Sequence, residues 1–116
     1  MKLYQYKKCS TCRKASKFLQ ENNIEFSSLD ITEQPPTVAE LEVMLSSYDG
    51  EIRKLFNTSG VQYRELNMKE KLPTMEAKQA LELLSGNGKL IKRPFLLDGN
   101  GKGIVGFKET DWSDFI

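Results

Sequence analysis

Histidine is absent from the chain, and cysteine occurs only twice in its 116 residues. A tetrahedral zinc site needs four nitrogen or sulfur ligands, so two thiols without any imidazole complete one only with carboxylates or a second subunit. We therefore expect no metal site. Any thiol chemistry in this protein has to run through the single pair of cysteines.

An excess of charge of one sign and long apolar runs are also missing. The 17 basic and 16 acidic residues leave a net charge of +1, which gives no electrostatic reason to expect direct binding of nucleic acid or an anionic membrane. No apolar run approaches the roughly 20 residues that span a bilayer, and residues 1–6 are too short and polar for a signal peptide. We expect a single cytoplasmic domain, residues 1–116, that folds without disulfides or metal.

The two cysteines form the motif Cys9-Ser-Thr-Cys12, between a short apolar strand and a helix. This spacing brings the sulfurs within disulfide reach when the first cysteine starts the helix and the second lies one turn inside it. The N–H groups of the first turn and the helix dipole then favour a thiolate at Cys9. Further positive charge comes from Lys7, Lys8, Arg13 and Lys14. We predict that Cys9 is the nucleophile, with a pKa below the ~8.5 of a free thiol, and that the more buried Cys12 resolves a mixed disulfide.

Inert packing is the alternative interpretation of the cysteine pair. Packing cysteines usually lie among apolar neighbours, whereas Lys8, Ser10, Thr11 and Arg13 flank these two. In a reducing compartment a lone pair is also more often catalytic or redox-sensing than structural. Redox or nucleophilic chemistry is therefore the favoured interpretation.

The N-terminal part of the chain fits a strand, a helix and a second strand. Residues 3–6 predict the first strand, and Ser10 or Thr11 helps to cap a helix that ends at Asn22-Asn23. Residues 24–31 predict the second strand, and the intervening helix indicates a right-handed parallel crossover. The thiols then lie at the first turn of a βαβ unit.

Short helices occupy the middle of the chain and strands return at its end. A capping box at residues 37–40 opens a helix that Asp49-Gly50 breaks, and a later helix spans residues 74–84. Shorter helical turns are predicted for residues 51–56 and 63–66. Strands over residues 95–97 and 103–107 flank a turn, and a last helix covers residues 111–115. This order is that of an α/β thioredoxin-like fold with a helical insertion between the βαβ unit and the C-terminal ββα unit.

Several pieces of the sequence occur in a characteristic order. They are Tyr4, Cys9-Ser-Thr-Cys12-Arg13-Lys14-Ala15, residues 30–37, Lys92-Arg93-Pro94 and Val105-Gly106-Phe107-Lys108-Glu109. Together they resemble the arsenate reductase (ArsC) family and, within it, the Spx/MgsR branch. The resemblance extends over nearly the whole chain, and the ordered set is far more specific than any one piece.

The resemblance implies roles for individual residues. In the reductases of the family the cysteine matching Cys9 attacks an oxyanion, and the arginine matching Arg93 holds that anion beside the thiolate. A planar guanidinium suits a tetrahedral oxyanion, and Arg13 is a second candidate for substrate binding. Pro94 is expected to be cis and to face the thiols, which would keep Arg93 near them; a solvated surface charge is the alternative for Arg93.

Three functions use these residues in different ways. The first is reduction of arsenate or another oxyanion, with Cys9 as nucleophile and Cys12 resolving, although most reductases of the family lack the second thiol. The second is an Spx-like redox switch that binds the C-terminal domain of the RNA polymerase alpha subunit; Gly50 falls where that contact includes a glycine, and a helix C-cap explains it equally well. The third is a glutaredoxin-like disulfide reductase, which needs both thiols but not Arg93.

The resemblance also indicates where the reducing equivalents come from. It implies no bound cofactor. Glutathione with glutaredoxin, or thioredoxin, is the expected reductant, and the substrate is a small oxyanion or a disulfide.

Overall fold

The computed structural model describes all 116 residues as one four-stranded sheet with helices on both faces. The strands are β1 (Lys2–Gln5), β2 (Ser27–Asp30), β3 (Phe95–Leu97) and β4 (Gly103–Val105). The helices are α1 (Ser10–Glu21), α2 (Val38–Ser47), α3 (Val61–Glu65), α4 (Met68–Lys71), α5 (Ala77–Ser85) and α6 (Glu109–Phe115), with 3₁₀ turns at Ile52–Leu55, Leu72–Thr74 and Gly88–Leu90. The α/β thioredoxin-like fold with a helical insertion, predicted from the sequence, is confirmed.

The sheet has the strand order β2-β1-β3-β4 and separates two apolar cores. Strand β1 is parallel to β2 and antiparallel to β3, and β4 is antiparallel to β3. Because side chains alternate along a strand, Leu3 faces α1 and α6, whereas Tyr4 faces the inserted helices. The smaller core contains Leu3, Ala15, Phe18, Leu19, Leu96 and Trp112. None of the helices has the length and apolar character of a membrane-spanning segment.

The strand predicted over residues 24–31 is shorter in the structure. Only Ser27–Asp30 pairs with β1. Ile24 donates its N–H to the carbonyl of Leu19 at the end of α1, and its side chain packs with Phe26 on the smaller core. These apolar residues therefore anchor the connection between α1 and β2. Strand β1 also ends one residue earlier than predicted, at Gln5.

The predicted element over residues 103–107 is also too long. Strand β4 stops at Val105 because Gly106 adopts a φ of +69° and gives its N–H to the carbonyl of Pro94. This hydrogen bond ties the end of β4 to the segment that carries Arg93. Helix α6 then begins at Glu109, two residues before the predicted start.

The boundaries of the inserted helices differ as well. Helix α5 begins at Ala77 rather than at residue 74, because Glu76 and Gln79 form a reciprocal capping box that fixes its start. Helix α4 has no counterpart in the sequence prediction; it follows Asn67, which has a φ of +54°. The capping box of Thr37 and Glu40 at the start of α2 is present as predicted.

Glu40 joins the start of α2 to strand β1. Its Oε1 accepts hydrogen bonds from the Tyr4 hydroxyl at 2.7 Å and from the Thr37 N–H at 3.0 Å, and Lys2 Nζ lies 2.9 Å from Oε2. Burial by itself raises the pKa of Glu40, but the hydrogen bonds from Lys2, Thr37 and Tyr4 outweigh it and lower that pKa. The carboxylate stays charged and couples the inserted helices to the sheet.

Replacing Glu40 by glutamine tests this coupling. We expect Glu40→Gln to lose about 1–2 kcal/mol of the free energy of unfolding near pH 7, because the hydrogen bonds to a charged carboxylate weaken together. Since the pKa of Glu40 is lowered in the folded state, its stabilisation is complete above the unfolded-state value of about 4.3 and is lost as the pH falls through the folded value. Urea unfolding near pH 7 and near pH 3 measures both effects.

Glu42 provides the matched control, because it lies exposed on the same helix. Glu42→Gln should change the free energy of unfolding by less than about 0.5 kcal/mol. An equal loss in both variants would contradict the role given to Glu40.

Candidate active site

The loop between β1 and α1 places the sulfur of Cys9 at the start of the helix. The Cys9 N–H donates to the carbonyl of Tyr6 at 3.0 Å, and the Cys9 backbone is extended, with φ −92° and ψ 115°. In this conformation Cys9 is the N-cap, and its Sγ accepts the N–H of Cys12 at 3.3 Å. The cap that Ser10 or Thr11 was expected to help form is therefore made by the cysteine itself.

The two thiols differ in their access to solvent. Cys12 is fully buried, whereas Cys9 is half-buried, and both are free thiols. The burial of Cys12 follows from its position one turn into α1, on the face that carries the buried Ala15 and Phe18. A reagent or substrate from solvent therefore reaches Cys9 first.

The surroundings of the thiols separate their pKa values. Burial raises the pKa of Cys9, but hydrogen bonds from the side chain and backbone of Cys12, the charge of Arg93 and the backbone of Thr11 outweigh it, so the pKa is lowered. Burial, and then the hydrogen bond to Cys9, raise the pKa of Cys12 to about 12. The pair therefore favours a thiolate on Cys9 with the proton held on Cys12.

Arg93 is the cation that acts on both sulfurs. Its peptide bond to Pro94 is cis, as predicted, and its guanidinium carbon lies 4.9 Å from the centroid of the Tyr6 ring. Its Nη1 is buried and has no hydrogen-bond partner in the chain. A buried N–H group without a partner is costly, so this donor needs an acceptor that the chain does not supply.

The other residues predicted for the site lie in different surroundings. Arg13 is exposed, and its guanidinium donates to the carbonyl of Lys7 at 3.0 Å, which fastens the thiol loop. Gly50 lies at the end of α2 with a φ of +81°, and its N–H bonds the carbonyl of Leu45 at 3.0 Å. A side chain at Gly50 would meet nothing within 4 Å. Gly50 thus has helix-capping geometry on an open surface.

The contact between the Tyr6 ring and the Arg93 guanidinium was not predicted from the sequence. The two residues are far apart in the chain and meet because Tyr6 follows β1 and Arg93 precedes β3, and these two strands are paired. No local pattern indicates such a contact. The aromatic residue before the cysteine motif was the single available signal.

A groove of about 1020 Å³ opens beside the thiols. Its walls come from α1, the end of α2, the turn at Ile52–Leu55 and the segment from β4 into α6. Thr11 and Arg93 belong to these walls and both act on the Cys9 sulfur. The groove therefore borders two of the residues that act on the reactive thiol.

A comparison with models of protein families shows which family the chain belongs to. The model of the ArsC family matches residues 4–115, so the chain belongs to the ArsC family. Among known relatives, the uncharacterized protein YusI of Bacillus subtilis is 49% identical over 96% of this chain and 93% of its own length. The regulatory protein MgsR of Bacillus subtilis is 33% identical over 90% and 80% of the two chains. The global transcriptional regulator Spx of Enterococcus faecalis is 31% identical over 98% and 84%.

Solved structures agree with the family assignment. A putative ArsC family related protein from Bacteroides fragilis superposes with a TM-score of 0.90 at 43% identity, covering 99% of this chain and 96% of that one. A possible arsenate reductase from Streptococcus mutans superposes with a TM-score of 0.87 at 36% identity, covering 97% and 96%. The resemblance to the ArsC family and its Spx/MgsR branch, noted from sequence motifs, is confirmed.

The pH dependence of Cys9 alkylation tests the electrostatics of the site. We expect iodoacetamide to label Cys9 with a midpoint below the ~8.5 of a free thiol, because the pKa of Cys9 is lowered. Arg93→Gln removes the nearby charge and Cys12→Ala removes the thiol hydrogen bond, so each variant should raise the midpoint. A midpoint at or above the free value in the unsubstituted protein would contradict this description of the site.

Substitution of Tyr6 tests whether its ring supports Arg93. Tyr6→Leu removes the stacking surface, worth about 0.5–2 kcal/mol, and should raise the Cys9 midpoint in the same direction as Arg93→Gln. Tyr6→Phe keeps the ring and should leave the midpoint unchanged. If Tyr6→Phe and Tyr6→Leu shift the midpoint equally, the stacking has no part in positioning Arg93.

Proposed function

We propose that the protein is a thiol-dependent oxyanion reductase, with arsenate as the leading candidate substrate. The observation that carries the proposal is the buried, unpartnered Nη1 of Arg93 beside a thiol whose pKa is lowered. A thiolate and an anionic substrate repel each other, so a site for both requires a cation and free N–H donors. Membership in the ArsC family and the likeness to a possible arsenate reductase support this choice of substrate.

In the first step the Cys9 thiolate attacks arsenic. A sulfur–arsenic bond forms, an arsenate oxygen takes up a proton and leaves as water, and arsenic stays in its pentavalent state. Arg93 holds the remaining oxygens through Nη1, and its planar guanidinium allows two contacts to one tetrahedral anion. Cys9 has the access and the charge for this attack, because the other sulfur is fully buried.

In the second step Cys12 attacks the sulfur of Cys9. The sulfur–sulfur bond forms, the sulfur–arsenic bond breaks, and its electron pair stays on arsenic, which leaves as trivalent arsenite. The Cys12 proton goes to the departing oxyanion. Once Cys9 is covalently bonded it no longer carries the thiolate charge that helps to raise the pKa of Cys12, so Cys12 loses its proton more easily at this stage.

The oxidised pair then needs an external reductant. Glutathione with glutaredoxin, or thioredoxin, supplies the two electrons that convert the Cys9–Cys12 disulfide back to thiols. Attack occurs at Cys9, since Cys12 lies in the core. A reducing, cytoplasmic setting suits this cycle, because the pair has to return to its thiol form.

A coupled assay of NADPH consumption with arsenate and each recycling system tests the proposal. We expect turnover that requires arsenate and is abolished by Cys9→Ser. Arg93→Gln should lower kcat/KM for arsenate by about 10²–10³-fold, the usual cost of removing an oxyanion donor. Arg93→Lys, which keeps the charge but not the planar fork, serves as the matched variant. It should lower kcat/KM for arsenate less than Arg93→Gln does.

The same assay separates a glutaredoxin-like disulfide reductase from an oxyanion reductase. Full activity on disulfide substrates in Arg93→Gln, with no turnover of arsenate by the unsubstituted protein, would overturn the oxyanion proposal. Loss of both activities in Cys9→Ser alone would not discriminate, which is why Arg93 is the deciding position.

Regulation of transcription is the second candidate function. Relatives named as regulators, MgsR and Spx, support it, and so does the open surface around Gly50. In this function the Cys9–Cys12 disulfide acts as a switch, and the partner is the C-terminal domain of the RNA polymerase alpha subunit. Closure of the disulfide would remove the thiolate that caps α1 and so alter the start of that helix.

Capture of the purified alpha C-terminal domain by the reduced and the oxidised protein tests this function. Gly50→Arg should abolish capture if Gly50 lies in the contact. Gly99→Arg is the matched control, because Gly99 has a φ of +82° and equally open surroundings in a different turn. No capture in either redox state, or equal loss in both variants, would exclude the role of Gly50.

A further inference from the structure

The groove beside the thiols is larger than an oxyanion requires. Its volume is about 1020 Å³, whereas a tetrahedral oxyanion fills only a few times the roughly 30 Å³ of a water molecule. Even a drug-sized ligand occupies a pocket of about 300–1,000 Å³. The space that continues from Arg93 along β4 is therefore suited to an extended ligand such as a peptide.

The walls of the groove are more cationic than the chain as a whole. Five basic side chains line it: Arg53, Lys54, Lys92, Arg93 and Lys108. Three carboxylates oppose them, and one of these, Glu51, is already paired with Lys54 at 3.2 Å. The other four cations have no ion-pair partner, in a protein whose net charge is only +1. An acidic ligand fits this distribution.

Strand β4 borders the groove, but its backbone donors are already used. Ser47 Oγ accepts the N–H of Gly103 at 2.9 Å, and the Tyr48 hydroxyl accepts the N–H of Val105 at 2.9 Å. A ligand therefore cannot add a strand to this edge without displacing both contacts. Recognition has to proceed through side chains, by the cations and by the half-buried ring of Phe107.

We propose that this groove binds an acidic peptide segment of a protein partner and directs a cysteine of that segment to Cys9. Thr11 and Arg93 line the groove and both act electrostatically on the Cys9 sulfur, so one end of a bound segment lies close to the reactive thiol. With a partner disulfide, the Cys9 thiolate attacks one sulfur and forms a mixed disulfide, and the other partner sulfur leaves with the electron pair and takes up a proton. This docking does not depend on which oxyanion the site reduces.

Trapping the mixed disulfide tests the docking in a Cys12→Ser background. The probe is the peptide acetyl-Glu-Ala-Glu-Phe-Glu-Ala-Cys-amide with its cysteine activated by thionitrobenzoate, and the comparison peptide has lysine in place of each glutamate. Release of thionitrobenzoate reports attack by Cys9. We expect the acidic peptide to react about tenfold faster at low salt and the ratio to approach one near 0.5 M salt.

Charge-neutralising variants distinguish binding in the groove from nonspecific electrostatic attraction by the cations of the thiol loop. Arg53→Gln and Lys108→Gln should each slow the acidic peptide about threefold and leave the reaction of neutral dipyridyl disulfide unchanged. Two controls carry the same charge change outside the groove, Lys7→Gln beside the thiols and Lys78→Gln on α5. If Lys7→Gln slows the acidic peptide as much as Lys108→Gln does, or if both peptides react equally fast, the proposal is overturned.

A binding measurement tests the docking without any thiol reaction. The acidic peptide with serine in place of its cysteine is titrated into the reduced, unsubstituted protein and followed by amide chemical shifts. We expect shifts at Arg53 and over residues 103–108, weakened in Lys108→Gln but not in Lys78→Gln. Peptide binding without arsenate turnover would contradict only the proposed reductase function. Arsenate turnover with no chemical shift changes in the groove would contradict only the docking proposal.

Discussion

The chemistry of this protein depends on one placement, the sulfur of Cys9 at the N-cap of α1. An N-cap normally supplies an oxygen to the free N–H groups of the first turn, and here a sulfur accepts the N–H of Cys12 at 3.3 Å. The interaction is stronger for a thiolate than for a thiol, so helix formation and ionisation of Cys9 favour each other. It also fixes Cys12 one turn away and inside the core.

The second requirement is a cation that is held near this sulfur without neutralising it by direct pairing. Arg93 meets it because two contacts restrict the segment that carries it: the Pro94 carbonyl accepts the Gly106 N–H at 2.9 Å, and Tyr6 lies under the guanidinium. Nη1 is left buried with no partner. Arg93 is thus oriented before any ligand arrives, which spares a ligand the entropy of ordering it.

The larger elements and the thiol pair were accessible from sequence because their signals are local. The cysteine spacing, the capping box of Thr37 and Glu40, and the strand and turn residues near the C-terminus all act over a few positions, and each indicated the element observed. The predicted element boundaries are wrong where tertiary contacts determine the local structure. Ile24 and Phe26 alternate like strand residues but pack on the smaller core outside any strand, and Gly106 ends β4 through a hydrogen bond to Pro94.

The site shows the same division between local and distant signals. The cysteine spacing predicted that Cys9 starts the helix and that Cys12 is the more buried thiol, as observed, whereas the electrostatics differ from the prediction in one respect. The loop cations suggested by the sequence are not what lowers the pKa of Cys9; hydrogen bonds at the helix start and the distant Arg93 do so. The stacking of Tyr6 and the cationic groove arise from residues separated by most of the chain, and composition gives no sign of either.

A single-turnover reaction with arsenate decides whether the Cys9–Cys12 pair reduces an oxyanion by itself. Fully reduced protein is mixed with arsenate in the absence of any external reductant, quenched with acid, and analysed by mass spectrometry for the disulfide and by chromatography for arsenite. We expect one Cys9–Cys12 disulfide and one arsenite for each chain, with neither formed in Cys12→Ser. Arsenite without the intramolecular disulfide, or an unchanged protein in excess arsenate, would contradict it.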